Sequence, residues 1–395
     1  MKKVSVLVLS MSAATAALAE DALMTEFHMD SRFRYEMVDQ DNALETAKAG
    51  TMRFRPRIES TYGPIGFLAE GEITAEVGDS FNSTRNKETQ YSVVADPANF
   101  QVNRLQLGVK EDLYDFTVGR QEINLDNQRF IGSVGWRQND QTMDAVRLNV
   151  RPTDKLSLGY GYIDKVNTIF GIEGDAPGPA AEGEQDTHVQ YATLNSDFGA
   201  VGVEGYGFWM KFDELAAWSN KTFGGVVSAK LPYTDLRAEY AVQSDYGNQP
   251  LDYDADYMHV SLTAKELVPK TSFTAGYELL GSDDGKIGFQ TPLATKHKFN
   301  GWADIFLVTP AAGLQDVYVN ASTAVPVVGG KFVVQGHKYD SDEGSLDYGS
   351  EVSGLYVRPI KSFPGLKGLV KYSHYNAKDA FVDTDKLWVQ LDYSL

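Results

Sequence analysis

The chain has 395 residues, no cysteine and a formal net charge of −18, with 23% charged and 43% hydrophobic residues. That composition excludes a disordered chain and a helical membrane bundle, and the acidic balance argues against nucleic-acid binding. Glycine (36), tyrosine (21) and phenylalanine (20) are abundant, a mix that favours strands joined by tight turns.

In chain order, Lys2 and Lys3 precede an apolar run over 4–17, and Ala17-Leu18-Ala19 reads as a cleavage site. This predicts a cleaved export signal over 1–19 and a mature domain over 20–395 that begins at Glu20. The mature chain then has 376 residues and a net charge of −20. No cysteine follows the cut, which excludes a lipid anchor, and no disulfide staples the exported domain. No later run of about 18 apolar residues exists, so no membrane helix is expected.

Period-2 alternation recurs instead. Phe27, Met29, Phe33, Tyr35 and Met37 share one face, and His28, Asp30, Arg32, Arg34 and Glu36 the other. Met52, Phe54 and Ile58 oppose Arg53, Arg55, Arg57 and Glu59; Phe67, Ala69, Ile73 and Val77 oppose Glu70, Glu72, Thr74 and Glu76. Strands are expected near 25–38, 50–61, 65–77, 99–110, 113–122, 141–151, 155–165, 186–196, 199–212, 220–231, 234–244, 253–265, 270–281, 313–325, 329–340, 347–358, 366–376 and 385–395. In the last, Leu387, Val389, Leu391, Tyr393 and Leu395 point outward, and Trp388, Gln390 and Asp392 inward.

The connections choose the architecture. Links after even-numbered strands are short, such as Gly63-Pro64 and Glu111-Asp112, whereas those at 78–98, 123–140, 166–185 and 282–312 are long. Short turns on one rim and long loops on the other mark an all-β fold, a transmembrane antiparallel barrel of eighteen strands with short periplasmic turns and long extracellular loops. A β-sandwich gives no reason for the asymmetry. In hydrocarbon every backbone polar group must pair, so the sheet must close. Outward Tyr160, Tyr162, Trp209, Tyr240, Tyr277 and Tyr393 fit interfacial girdles.

The opposite faces then line a lumen. Of 14 arginines, 12 lie between positions 32 and 151. Arg32, Arg34, Arg53, Arg55, Arg57, Arg104 and Arg147 have inward phase and give adjacent strands one basic wall. Guanidinium forks fit carboxylates and sulfates, and rings of them serve anion pores. The competing explanation is structural: inward Glu36, Glu59, Glu70, Glu72, Glu76 and Glu239 could pair with these arginines in cross-strand ladders. It accounts for single arginines. The pathway role accounts better for the cluster, since a lumen tolerates polarity without demanding so much fixed positive charge.

Other chemistry finds no motif. The six histidines lack metal-ligand spacing, and Asp252, Asp254 and Asp256 lack the glycine and glutamate of a calcium loop. There is no G-x-S-x-G elbow and no phosphate loop. No catalytic residues, metal or cofactor are expected.

The run Val118-Gly119-Arg120-Gln121-Glu122-Ile123-Asn124-Leu125-Asp126-Asn127-Gln128-Arg129-Phe130-Ile131-Gly132, followed by Trp136-Arg137-Gln138 and Asp144-Ala145-Val146-Arg147, resembles the hallmark block of the alginate-export family of outer-membrane porins. A second block, Phe299-Asn300-Gly301-Trp302-Ala303-Asp304 with Thr309-Pro310 and Gly313 to Tyr318, agrees with it. The resemblance implies an eighteen-stranded barrel. It also implies that Arg120, Arg129, Arg137 and Arg147 project into an electropositive constriction, with Asp126 and Asp144 holding their guanidinium groups. The second block would be an extracellular loop and the start of the next strand.

The leading expectation is therefore a porin in the bacterial outer membrane for passive passage of anionic sugars, oligosaccharides or polysaccharides, with an alginate-like substrate first. A general diffusion porin is the alternative, ahead of a barrel enzyme or an adhesin. Expected partners are outer-membrane lipid, lipopolysaccharide, the barrel-assembly machinery and the saccharide; monomer and trimer both stay open.

Overall fold

The computed structural model describes residues 22–172 and 174–395; the expected signal over 1–19 and the start at Glu20 lie outside the described residues. The strands are β1 (Met24–Gln40), β2 (Ala47–Tyr62), β3 (Ile65–Val77), β4 (Asn99–Lys110), β5 (Tyr114–Gln121), β6 (Thr142–Thr153), β7 (Leu156–Asn167), β8 (Glu184–Asp197), β9 (Val201–Phe212), β10 (Asn220–Lys230), β11 (Thr234–Asp245), β12 (Asp254–Lys265), β13 (Thr271–Leu280), a small loop hairpin of β14 (Ser282–Asp283) and β15 (Ile287–Gly288), then β16 (Leu314–Ala324), β17 (Lys331–Asp340), β18 (Asp347–Pro359), β19 (Leu366–Asn376) and β20 (Thr384–Ser394). All but the hairpin form one eighteen-stranded sheet. β1 pairs antiparallel with both β2 and β20, so the sheet closes and no edge remains.

Each expected strand is present, with ends within three residues of those read from alternation. The cause is visible in β1: Phe27 and Phe33 are exposed on the outside, where lipid would cover them, while Arg34 and Glu36 are buried inside. The last strand likewise buries Trp388 and Gln390 and exposes Val389 and Leu391. On the outer face, Tyr160, Tyr240, Tyr277 and Tyr372 donate hydroxyl hydrogen bonds to Gln190, Asp256, Gln315 and Asp385 of neighbouring strands, an arrangement that suits a wet membrane interface.

A bulge interrupts the β3–β4 register between Glu70 and Gly71. The extra residue shifts the phase of β4. Consecutive residues Asn103 and Arg104 therefore both reach the Glu70 carboxylate, at 2.8 Å and 2.6–3.0 Å.

The long loops on one rim turn inward. Residues 122–141 and 281–313 meet inside the barrel, where Ile131 and Leu293 form a β-bridge and the Gly132 N–H donates to Leu293 O at 2.9 Å. Phe130 packs among Tyr206, Phe208, Tyr257 and Phe289, with ring centroids 5.2–6.0 Å apart. The apolar side of this inner layer thus faces the β8–β13 wall, and its polar side faces β1–β4. Burying these aromatics contributes roughly 1.5–3 kcal/mol each relative to exposure. That holds the layer off-centre and leaves open space along the arginine wall.

Candidate functional site

The space is lined by β1–β4. Arg32 and Arg53 sit directly opposite one another in the register, a like-charge pairing that needs counter-ions. Arg32 donates to Asp392 at 2.8 Å and to the carbonyls of Gly135, Trp136 and Arg137 at 3.1–3.3 Å. Arg34, fully buried, donates to Gln390 and to Trp136 O and lies 4.2 Å above the Trp136 ring. Arg53 stands 3.8 Å from Asp140, and Arg55 pairs closely with Asp140 and stands 3.7 Å from Glu72. Arg57 meets Glu59 at 2.8 Å and Glu70 at 3.7 Å, and Arg104 grips Glu70. Of the six inward glutamates proposed for ladders, Glu36, Glu59, Glu70, Glu72 and Glu239 do pair with arginine. Glu76 instead accepts from Asn86 and the Ala98 N–H.

Pairing still leaves the surface of the open space rich in cations. A chamber of about 430 Å³ is lined by Arg32, Arg53, Arg55, Arg57, Arg104 and Lys367 against Asp30, Glu70, Glu122 and Asp392. Six cations face four carboxylates on the lining itself, a surplus at its surface only, since Glu59, Glu72 and Asp140 pair with Arg57, Arg55 and Arg53 from outside the lining.

The chamber's wall toward the extracellular loops is a network that joins both inward loops to the barrel. Arg137 reaches Glu36 (3.3 Å), Asp96 (3.7 Å) and Asp304 (3.1 Å). Burial works against its charge, but Glu36, Asp96 and Asp304 outweigh burial and raise its pKa above the usual arginine value. Asp304 also accepts from Lys386 at 3.1 Å and from His297 at 2.6 Å. Burial pushes the His297 pKa down to about 3 against the pull of Asp304. The ring is therefore neutral at physiological pH, with Nδ1–H donating to Asp304 and Nε2 accepting from the Lys371 ammonium at 2.6 Å. Lys371 sits in a cage of Trp136, Trp302 and Trp388, 4.0–5.1 Å from the ring centroids, the geometry of a cation–π site. Gly301 makes the loop's approach possible: its φ is +85°, and a Cβ there would overlap the Glu351 carboxylate, which accepts the Trp302 and Ala303 N–H groups.

Residues 23–272 match the family model described as alginate export. The chain belongs to the alginate-export family. Among solved structures its barrel is similar to Acinetobacter baumannii OccAB4, at 17% identity over 95% of this chain and 99% of that one, with a TM-score of 0.70. Pseudomonas aeruginosa OccK9 (OpdG) gives 16% identity, coverage of 94% and 98%, and a TM-score of 0.71. P. aeruginosa OpdK, solved with vanillate, gives 13% identity, 94% and 98%, and 0.70. These likenesses concern the fold. No curated protein matches the chain. The chain is an outer-membrane porin-like barrel.

Of the twelve residues singled out in the sequence, this alginate-export barrel brings seven together: Arg32, Arg34, Arg53, Arg55, Arg57, Arg104 and Arg137. Arg120 and Asp144 form a separate bidentate pair at 2.7 and 3.0 Å. Arg129 is only 3% exposed, with its Nε 2.9 Å from Glu278 and its guanidinium 4.7 Å from the Phe299 ring centroid; it anchors the inner layer. Asp126 pairs with Arg237, not with an arginine of its own block. Arg147 has inward phase between Thr117 and Gly161 and no ionic partner among the described residues. Reading the sequence missed Asp140, Glu278, His297, Asp304, Lys371 and Lys386 as members of these networks. For Lys371 and Lys386 a signal existed: both occupy inward positions in strands whose outward phase is apolar.

Proposed function

We propose that this barrel is a passive, substrate-selective outer-membrane channel for anionic saccharides, with uronate-bearing chains or their short fragments as first substrates. The observation that carries the reading is the arginine-lined chamber beneath the inward loops, where cations outnumber carboxylates. Fixed guanidinium groups replace part of the hydration of a passing carboxylate, and their partial neutralisation keeps binding weak enough for release. No catalytic step, metal or cofactor enters this reading. An export signal over 1–19, insertion by the barrel-assembly machinery and contact with lipopolysaccharide follow from it, with monomer or trimer left to direct measurement.

The test is single-channel recording in planar bilayers under a salt gradient, with and without oligo-uronate. Anion preference with concentration-dependent block supports the reading, and replacing Arg57 and Arg104 by Gln should reduce both. Conductance that no sugar acid blocks would sink it in favour of general diffusion.

A further inference from the structure

Above the Arg137 network, four extracellular loops leave a second cavity of about 300 Å³. Its walls are Ile169, Phe170, Trp218, Ala294, Leu307 and Val308. Leu307 and Val308 are 39% and 61% exposed, so the mouth is open. At its floor Arg137, Asp304 and His297 already satisfy one another. Lys296 differs. It begins the short turn Lys296–Lys298, and its ammonium lies 5.7 Å from the Trp218 ring centroid. Among the described residues its ammonium has neither an ion pair nor a hydrogen bond, although its carbonyl accepts from the Phe299 N–H. Burial, with help from Arg129, lowers its pKa to about 8, so it is mainly charged at neutral pH.

An ammonium with no partner among the described residues, in an apolar vestibule, calls for an anion that brings its own apolar body. The volume lies at the lower end for ligand sites, roughly 300–1,000 Å³, which is room for one ring rather than a chain of sugars. A saccharide would leave hydroxyls unpaired against these walls. We propose that this vestibule binds small aromatic monocarboxylates, with the carboxylate on Lys296 and the ring against Trp218 and Phe170. The proposal rests on the channel reading only in placing the site at the entrance of the pathway.

Calorimetric titration of the detergent-solubilised barrel with benzoate, benzyl alcohol and glucuronate tests it without any conductance measurement. Benzoate should bind, more tightly than either control. Lys296→Met should weaken benzoate at least tenfold, Lys296→Arg should retain most of the affinity, and Leu307→Asp should weaken it while leaving the Lys296 charge in place. Affinity should fall as pH rises past 8, because the ammonium deprotonates while benzoate stays ionised. Equal benzoate affinity in wild type and Lys296→Met, or no benzoate binding at all, overturns the proposal even if sugar acids block the channel. Benzoate binding that depends on Lys296 supports it even if they do not.

Discussion

The two walls of the lumen do different work. The β1–β4 wall presents Arg32, Arg53, Arg55, Arg57 and Arg104 to open space. The wall from β8 to β13 presents Tyr191, Tyr206, Phe208 and Tyr257 and fills its side with the inward loops through Phe130 and Phe289. A barrel of this size would otherwise hold a wide bore. The aromatic wall narrows it by gripping the loops on one side, and what is left runs along the guanidinium groups. On the proposed channel reading, selectivity and constriction fall to opposite walls, joined by Arg137.

That division can be broken most severely at the joint. Arg137→Ala should leave Glu36 buried without its cation, and leave Asp96 and Asp304 with only Arg34 and Lys386. Removing one partner of a buried ion pair costs about 3–5 kcal/mol, so the loops should detach and single-channel conductance should rise with excess noise. Unchanged conductance would mean that the loops are held independently of Arg137. Next comes Phe130→Ala on the aromatic side. A buried Phe→Ala change costs about 3–5 kcal/mol, read here as a lower denaturant midpoint for loss of loop protection in hydrogen exchange. Because the arginine wall is untouched, conductance should rise while ion preference falls only as far as the wider bore dilutes it. A reversal of preference would show that the walls are not separable. A smaller effect is expected from Lys371→Met. It removes cation–π contacts worth about 2 kcal/mol when desolvated and the donor to His297, but leaves the Trp cage filled. Hydrogen-exchange protection of residues 295–304 should weaken, with little change in current.

Alternation alone makes the wall legible in the sequence. Arg34 and Glu36 against Phe33, or Trp388 and Gln390 against Val389, define their faces through strand geometry alone. The partners were not legible. Arg129 meets Glu278 and Asp126 meets Arg237 across more than a hundred residues of chain, and nothing local encodes which strand a folded-in loop will touch. Arg129 carries the same charge and sits in the same block as Arg137, yet one anchors the layer to Glu278 of β13 and the other joins it to β1. The β4 bulge shows the same limit: alternation assigns Asn103 and Arg104 to opposite faces, and only the register shift at Glu70 brings both onto one carboxylate.

The smallest expected effect sharpens the comparison on the arginine side. Glu122 follows β5, lines the chamber and lies 3.9 Å from both Arg55 and Arg104. Burial, and then Asp140, raise its pKa above the usual glutamate value, whereas an ordinary carboxyl titrates near 4. As pH falls from 7, Glu122 should therefore take up its proton before an ordinary carboxyl does. Its loss of charge enlarges the positive surplus, so anion preference should rise modestly on acidification. Glu122→Gln should show the acidic preference already at pH 7 and lose that part of the pH response. Reversal potentials measured from pH 7 to pH 5 for both proteins decide the matter. If the variant keeps the full wild-type response, the titrating group lies elsewhere, and the surplus along this wall is not what sets the preference.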